Sequence, residues 1–375
     1  MKNYIMVGCD LHEKNLNLRA AKNLEEPERL SFKNTPHGRN SMIKKLKERA
    51  GKAKIVFAYE AGPHGFGLYD YLTEQGIECH VLAPTKIPRS VRQKRAKNDD
   101  SDAMNILRVL RAHLLAGNDL PSVWVPDKET RDDREIVRAR LDIGDKIVAQ
   151  KNEIHALLKR NDIKKPKVVG GNWTRRHRAW LAGLIGPGGK LGWGAGKRLE
   201  SMLRQLKALE EEAAELDKLV KALCETVPYC GPARELMKEA GVGLLVAMVY
   251  LTEMGDLSRF DNRRQVGSYL GLAPSSSESG ESGERKGHIT HQGSHRVRKV
   301  LCQAVWARVR YDGKEKKVYE RIVARNPKHK KIAVVAAMRR LDITLWRIGR
   351  EAQKRTGFRE KQTRKAKGRR PARCA

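Results

Sequence analysis

Apolar and polar positions in the first third of the chain repeat at two periods, and the switch between them predicts the elements. Tyr4–Cys9 is a continuous β-rich run, Asn15–Ala20 alternates apolar with polar, and Arg29–Lys33 is a weaker third strand. Ser41–Ala50 carries apolar residues at helical spacing, Lys54–Tyr59 reads as a short buried strand, and Gly67–Gln75 as a helix ended by Gly76. A further strand follows at Glu78–Leu82. Met104, Ile106, Leu107, Leu110 and Leu114 then mark a helix from Asp99 to about Leu115. The order βββαβαβα predicts an α/β layer whose first three strands form a meander and whose later connections cross over.

The pattern beyond residue 125 is helical. Ile136, Ile143, Ile147, Ile154 and Leu157 mark one long helix that stops around Asn161–Pro166. A second runs from about Leu199 to Leu223 as a heptad. Leu199, Leu206, Ala213 and Val220 take one core position; Met202, Leu209, Leu216 and Leu223 take the other. That repeat predicts a coiled coil or a long antiparallel hairpin. From Pro232 to about Glu351 a second, mostly helical globular unit is expected, with a Ser/Gly-rich insertion at Ser275–Gly283 that composition alone reads as a flexible linker. The fold class expected is thus α/β plus all-α, divided as 1–125, 126–228, 229–352 and a basic, disordered tail at 353–375.

Charge narrows the function. The 375 residues hold 77 Lys and Arg against 44 Asp and Glu, a net +33, which exceeds what solubility needs and calls for a polyanionic partner, nucleic acid above all. The tail from Lys354 has ten Lys and Arg against one Glu. Apolar residues at 40% exclude a wholly disordered chain, and no apolar run approaches the ~18 residues of a membrane span. The first residues lead straight into a strand with no signal-peptide pattern, so a soluble, cytoplasmic protein with no membrane partner is expected. Six scattered cysteines without a CxxC argue against a zinc site or disulfide framework and for buried thiols. Five Phe and nine Tyr leave few stacking platforms, so backbone electrostatics should dominate binding.

Four acids stand where an α/β sheet gathers its chemistry. Asp10 closes the first strand and Glu60 the fourth, and the carboxyl ends of strands are where such sheets bind ligands. Asp99 and Asp102 lie three apart at a helix start and share a face, with Asp100 pointing elsewhere. Each alone has a plain alternative as a turn or cap residue. Together in so basic a chain they suit two Mg²⁺ ions, because converging carboxylates repel unless hard cations neutralise them.

The second half offers other chemistry. Gly241-Val242-Gly243 between two helical stretches has the form of a helix-hairpin-helix, whose turn presents backbone N–H groups to a phosphate. Arg175 and Arg176, flanked by Trp173 and Trp180, form a basic aromatic cluster: a nucleic-acid contact, or a loop with tryptophans tucked against helices. Arg298 stands as a phosphate contact or a stabiliser of a phosphorane-like transition state. The serines of Ser275–Gly283 are poor nucleophiles without activation, and only Glu278, Glu281 or His288 offers a nearby base.

These blocks, in order and nearly end to end, resemble the DEDD-type insertion-sequence transposases, a family that includes the Piv-like DNA invertases. The resemblance rests on GCDLHEKNLNL at Gly8–Leu18, YEAG at Tyr59–Gly62 and KNDDSDA at Lys97–Ala103. In the second half it rests on GVG at Gly241–Gly243, EMGDLSRF at Glu253–Phe260, YLGLAP at Tyr269–Pro274, SG at Ser279–Gly280 and GHITHQG at Gly287–Gly293. It implies a ribonuclease-H-like amino-terminal domain, similar to Holliday-junction resolvases, with Asp10, Glu60, Asp99 and Asp102 as the metal-binding quartet. It also implies a carboxy-terminal domain whose nucleophile maps onto Ser279, a dimer or tetramer with a composite site, a phosphoserine link to DNA, and a structured guide RNA encoded by the element. The segment from Ser279 to Gly287 is about one residue longer than the family pattern, Ser277 and Ser282 are alternatives to Ser279, and His291-Gln292 precede Gly293 where a basic residue is the family's habit. A junction nuclease without a covalent serine, and a non-catalytic binding derivative, are the competing expectations.

Overall fold

The computed structural model describes residues 3–88, 99–186, 188–279, 283–325 and 327–356, with side chains excluded at 99–100, 276–279 and 283–286. Two compact units divide between Pro126 and Asp127.

The first unit contains β1 (Tyr4–Leu11), β2 (Asn15–Lys22), β3 (Glu28–Lys33), α1 (Pro36–Ala50), β4 (Lys54–Glu60), α2 (Gly67–Glu74), β5 (Glu78–Leu82) and α3 (Asp99–Ala116). One five-stranded sheet runs β3-β2-β1-β4-β5. The β1–β2 and β2–β3 pairs are antiparallel, whereas β1–β4 and β4–β5 are parallel. The helix α1 begins five residues before Ser41. Its first turn carries no apolar signal and is set by capping: Thr35 Oγ1 accepts from Gly38 N–H at 3.2 Å and Pro36 opens the helix.

Alternation along the strands separates two cores. Ile5, Val7 and Cys9 of β1 join Phe57 and Tyr59 of β4 against Met42, Leu46, Leu68 and Leu72 of α1 and α2. Met6 of β1 and Val56 and Ala58 of β4 face the other way, onto Ile106, Leu107 and Leu110 of α3.

The second unit contains α4 (Lys128–Arg160), α5 (Arg175–Ala182), α6 (Trp193–Cys224), α7 (Cys230–Leu236), α8 (Leu244–Met254), α9 (Arg263–Tyr269), β6 (Pro274–Ser279), β7 (Gly283–Ile289), α10 (His295–Tyr311), α11 (Gly313–Arg325) and α12 (Lys330–Arg355). Helices α4 and α6 run antiparallel: Arg140 forks onto Asp217 at 2.7 and 3.0 Å, and Gln150 donates to Met202 O at 3.1 Å. In α6, Leu199, Leu206, Ala213 and Val220 are all buried, while Leu209, Leu216 and Leu223 are half-buried.

The antiparallel pair α4 and α6, an arm of the second unit, shares that unit with the carboxy-terminal helices for a physical reason. Buried Arg134 of α4 donates to the last carbonyls of α8, Thr252 O at 2.6 Å and Glu253 O at 2.8 Å, and Arg138 forks onto the Glu253 carboxylate at 2.8 and 3.3 Å. Helix α8 is buried from Ala247 through Met254, so it is the axis of this core. No helix among the described residues is long and apolar enough to cross a membrane. Cys9, Cys79, Cys224 and Cys302 are free thiols, whereas Cys230 is disulfide-bonded, a departure from the all-thiol expectation.

Candidate active site

Strand register brings two of the four acids side by side. Cys9 is the parallel partner of Tyr59, so the next residues, Asp10 and Glu60, follow at adjacent strand ends. Asp10 shares the face of Met6 and Gly8, and Glu60 that of Val56 and Ala58, which is the face covered by α3. Asp10 lies one residue inside β1, since pairing with β2 continues to Leu11.

Helix α3 supplies the third acid. A Cβ on Gly8 would stand 2.4 Å from Ala103 O and 2.5 Å from Leu107 N, so the helix backbone lies directly on β1 at this glycine. Asp102, beside Ala103, is 8% exposed and buried with Asn105 at this crossing. Asp99 is the first described residue of the same helix, on the stripe of Asp102, Ala103 and Ile106, and its side chain lies outside the described residues.

Sequence reasoning missed two supports of this arrangement, Gly8 and His12. His12 Nε2 lies 3.0 Å from Asp10 Oδ2. The signal was present in the Asp-Leu-His spacing, because residues two apart at a strand end share a side. All the donors are carboxylate oxygens, the chemistry Mg²⁺ prefers. Their placement and type fit a divalent ion, although among the described residues no three His, Cys, Asp or Glu side chains already close around one point. The Cys9 thiol beneath the site is no ligand candidate: full burial, then Asp10, push its pKa well up.

The second set of residues occupies a hairpin, not a linker. β6 and β7 pair antiparallel from Pro274–Ile289 to Ser279–Gly283, and Ser275 Oγ donates to His288 O at 3.0 Å. Serine and glycine are poor strand formers, but backbone ladder bonds do not depend on side chains, so the hairpin forms against its composition. Ser279 is the last residue of β6, Ser277 lies opposite Arg285, and both side chains, with all of Ser282, lie outside the described residues.

Arg298 holds the base of that hairpin. Its Nη1 donates to Leu270 O at 3.0 Å, Gln292 O at 2.7 Å and Gly293 O at 3.3 Å. Gly271 and Gly293 let the two loops meet backbone to backbone: at φ +64° and +72°, their added Cβ atoms would fall 2.3 Å from Gln292 N and 1.9 Å from Tyr269 O. Arg298 therefore positions the hairpin, a role that the basic composition concealed.

The remaining basic and glycine candidates divide. Gly241 has φ +76° and its Cβ would stand 2.5 Å from Ala304 O, so packing on α10 already requires glycine there. Gly243 caps α8 with open space around it. Arg175 and Arg176 are exposed in the first turn of α5, whereas Arg178 forks onto Glu210 at 2.8 and 2.9 Å. The tryptophans beside them pack edge-on or stacked against His155 and His177.

A mixed sheet carrying acids at the carboxyl ends of its two central parallel strands, in a basic chain with a separate helical unit, defines a nucleic-acid-processing enzyme whose first unit is consistent with a ribonuclease-H-like domain. Residues 7–161 match the model of IS110-type DEDD transposases, and residues 233–320 match the family described as transposase IS116/IS110/IS902. A putative transposase, y4qE, of Sinorhizobium fredii is 32% identical over 332 residues, covering 80% of this chain and 77% of that protein. The transposase for insertion sequence element IS1533 of Leptospira borgpetersenii is 30% identical over 273 residues, covering 71% of this chain and 74% of that one. The chain belongs to the IS110/IS116 family of insertion-sequence transposases, and its activity is DNA transposition.

Proposed function

We propose that this transposase cuts and rejoins DNA through two cooperating groups, a metal-binding carboxylate set and a serine nucleophile. The observation that carries the reading is the parallel register of β1 and β4, which sets Asp10 beside Glu60 on the face covered by α3. Asp10, Glu60, Asp99 and Asp102 would hold the cations, by this reading two Mg²⁺. When bound, such ions supply neutralisation of the charge on phosphate oxygens. His12 keeps Asp10 oriented through their contact at 3.0 Å.

Ser279 attacks phosphorus through Oγ and loses its proton to a base, while the departing deoxyribose oxygen takes up a proton. A phosphoserine link conserves the phosphodiester energy, so rejoining needs no added cofactor. The position of Ser279 as the last residue of β6, on a hairpin braced by Arg298, supports its choice over Ser277. Two protomers of a dimer or tetramer supply the two halves of each site. Arg175, Arg176 and the turn at Gly241–Gly243 contact nucleic-acid backbone, and a structured guide RNA selects donor and target by base pairing. The net +33 suits a protein holding RNA and DNA together in association with the nucleoid. Functionally the segments are 1–125 for the carboxylates, 126–228 for the arm, 229–352 for the serine and 353–375 for a basic tail.

A denaturing gel tests the reading. Labelled DNA carrying the element's end should migrate with the protein after denaturation, and Ser279→Ala should abolish that adduct. Cleavage without any adduct, unchanged by Ser279→Ala, would instead identify a hydrolytic junction nuclease using the same carboxylates.

A further inference from the structure

A cavity of about 370 Å³ lies where the end of α4 meets α5, and none of the catalytic candidates lines it. We propose that it is a pocket for one unpaired nucleotide of a nucleic-acid partner, which stacks on Trp180 while lysines at the mouth hold its phosphate. The inference takes the nucleic-acid partner from the reading above but does not depend on strand cleavage.

Three features lead to it. The first is a flat aromatic wall: the rings of His155 and His177 stack at 5.9 Å and 20°, and those of His177 and Trp180 at 5.5 Å and 23°. Trp180 and His155 are half-buried and both line the cavity; Trp180 also packs against the apolar cluster of Ile154, Leu181 and Leu184, which fixes its ring at the cavity edge. A base adds another ring to such a wall without regard to its sequence.

The second feature is an orphaned donor. His177 Nδ1 accepts from Trp173 N–H at 2.9 Å, which leaves the ring proton on Nε2. His177 is 0% exposed and its Nε2 has no hydrogen-bond partner, although the ring forms part of the cavity wall. Burial, then Lys165 and His155, hold the imidazole below its ordinary pKa, so it is a neutral N–H donor at pH 7 and not a cation. A buried donor without an acceptor is costly. At 0% exposure Nε2 is covered, so answering it takes a shift of the covering side chains on binding; a base carbonyl or ring nitrogen then satisfies it, and a hydrocarbon does not.

The third is charge. Lys159 and Lys164 line the cavity, with a third lining lysine, Lys165, that already donates to Gly170 O at 2.6 Å and to Asn172 Oδ1. One acid, Asp162, lines it too, and its contact with Lys164 is 3.7 Å long with both side chains 88% exposed. So open a pair screens little of the lysine charge. The volume lies in the ~300–1,000 Å³ range of small-molecule pockets and suits a nucleotide. An unpaired nucleotide unites a ring to stack, an acceptor for Nε2 and a phosphate for the lysines.

Photocrosslinking of the full-length chain in excess chelator, where no strand is cut, tests this directly. The probes are an RNA hairpin and a DNA hairpin of one sequence, each with a single bulged iodouridine or iododeoxyuridine, and matching hairpins in which the bulge is paired. The expected result is a crosslink mapped to Trp180 or His155 that disappears when the bulge is paired; whichever sugar supports it identifies the source as RNA or DNA. The bulged probe should also bind about tenfold less tightly to Trp180→Ala, with Trp180→Phe near wild type and the paired probe unaffected. Crosslinks scattered over other peptides with equal yield from bulged and paired probes would overturn the proposal, as would an unchanged preference for the bulge in a folded Trp180→Ala protein.

Discussion

Gly8 carries no side chain because Ala103 O and Leu107 N occupy the space of its Cβ, at 2.4 and 2.5 Å. Gly8→Ala should push α3 off β1, cost about 1–3 kcal/mol by overpacking, and depress DNA cleavage with every carboxylate intact. Urea denaturation and a cleavage assay check the two effects separately. Asp102→Asn should leave stability nearly unchanged and abolish Mg²⁺-dependent cleavage; normal cleavage would remove Asp102 from the metal site. Asp342 makes a different prediction. Burial, against the opposing effects of the Tyr250 hydroxyl at 3.0 Å and nearby Arg339, raises its carboxyl to about 7 from 3.8. Between those values the folded protein binds the proton and the unfolded chain does not, so stability falls as pH rises from 4 to 7, by up to about 4 kcal/mol. Asp342→Asn should flatten that slope and raise the melting temperature above pH 7, which thermal melts across the range would measure.

Secondary elements followed the apolar period closely where burial is one-sided. The order βββαβαβα in the first unit, the strand Glu78–Leu82 and the end of α3 near Leu115 all coincide with the pattern. Departures came where side chains do not drive the element: the capped first turn of α1, and the β6–β7 hairpin built from serine and glycine. Leu206 of α6 is fully buried against α4. Leu206→Ala should therefore cost about 2–5 kcal/mol, seen as a lower denaturant midpoint. Arg298→Ala removes the guanidinium that holds the hairpin base through Leu270 O, Gln292 O and Gly293 O. It should reduce the covalent DNA adduct strongly while DNA affinity, set by many other cations, changes little; a large affinity loss with normal adduct would make Arg298 a phosphate ligand instead.

Across the chain, charge and partner choice are matters of sum, not of any one group. Residues 357–375 carry eight Lys and Arg against Glu360. Deleting them, while leaving α12 whole, should weaken nucleic-acid binding and lower its salt slope by about 0.9 for each duplex phosphate that the tail neutralises. An unchanged slope would mean that the tail neutralises none. Composition, apolar periodicity and the acids at strand ends were legible in the sequence alone, because they depend on local spacing and on totals that folding does not alter. Only the tertiary structure decided which acids neighbour one another, why Gly8 must be bare, that Arg298 braces a hairpin, and that His177 keeps a buried N–H unanswered. Those facts depend on strand register and on packing between residues far apart in the chain, which no local period encodes.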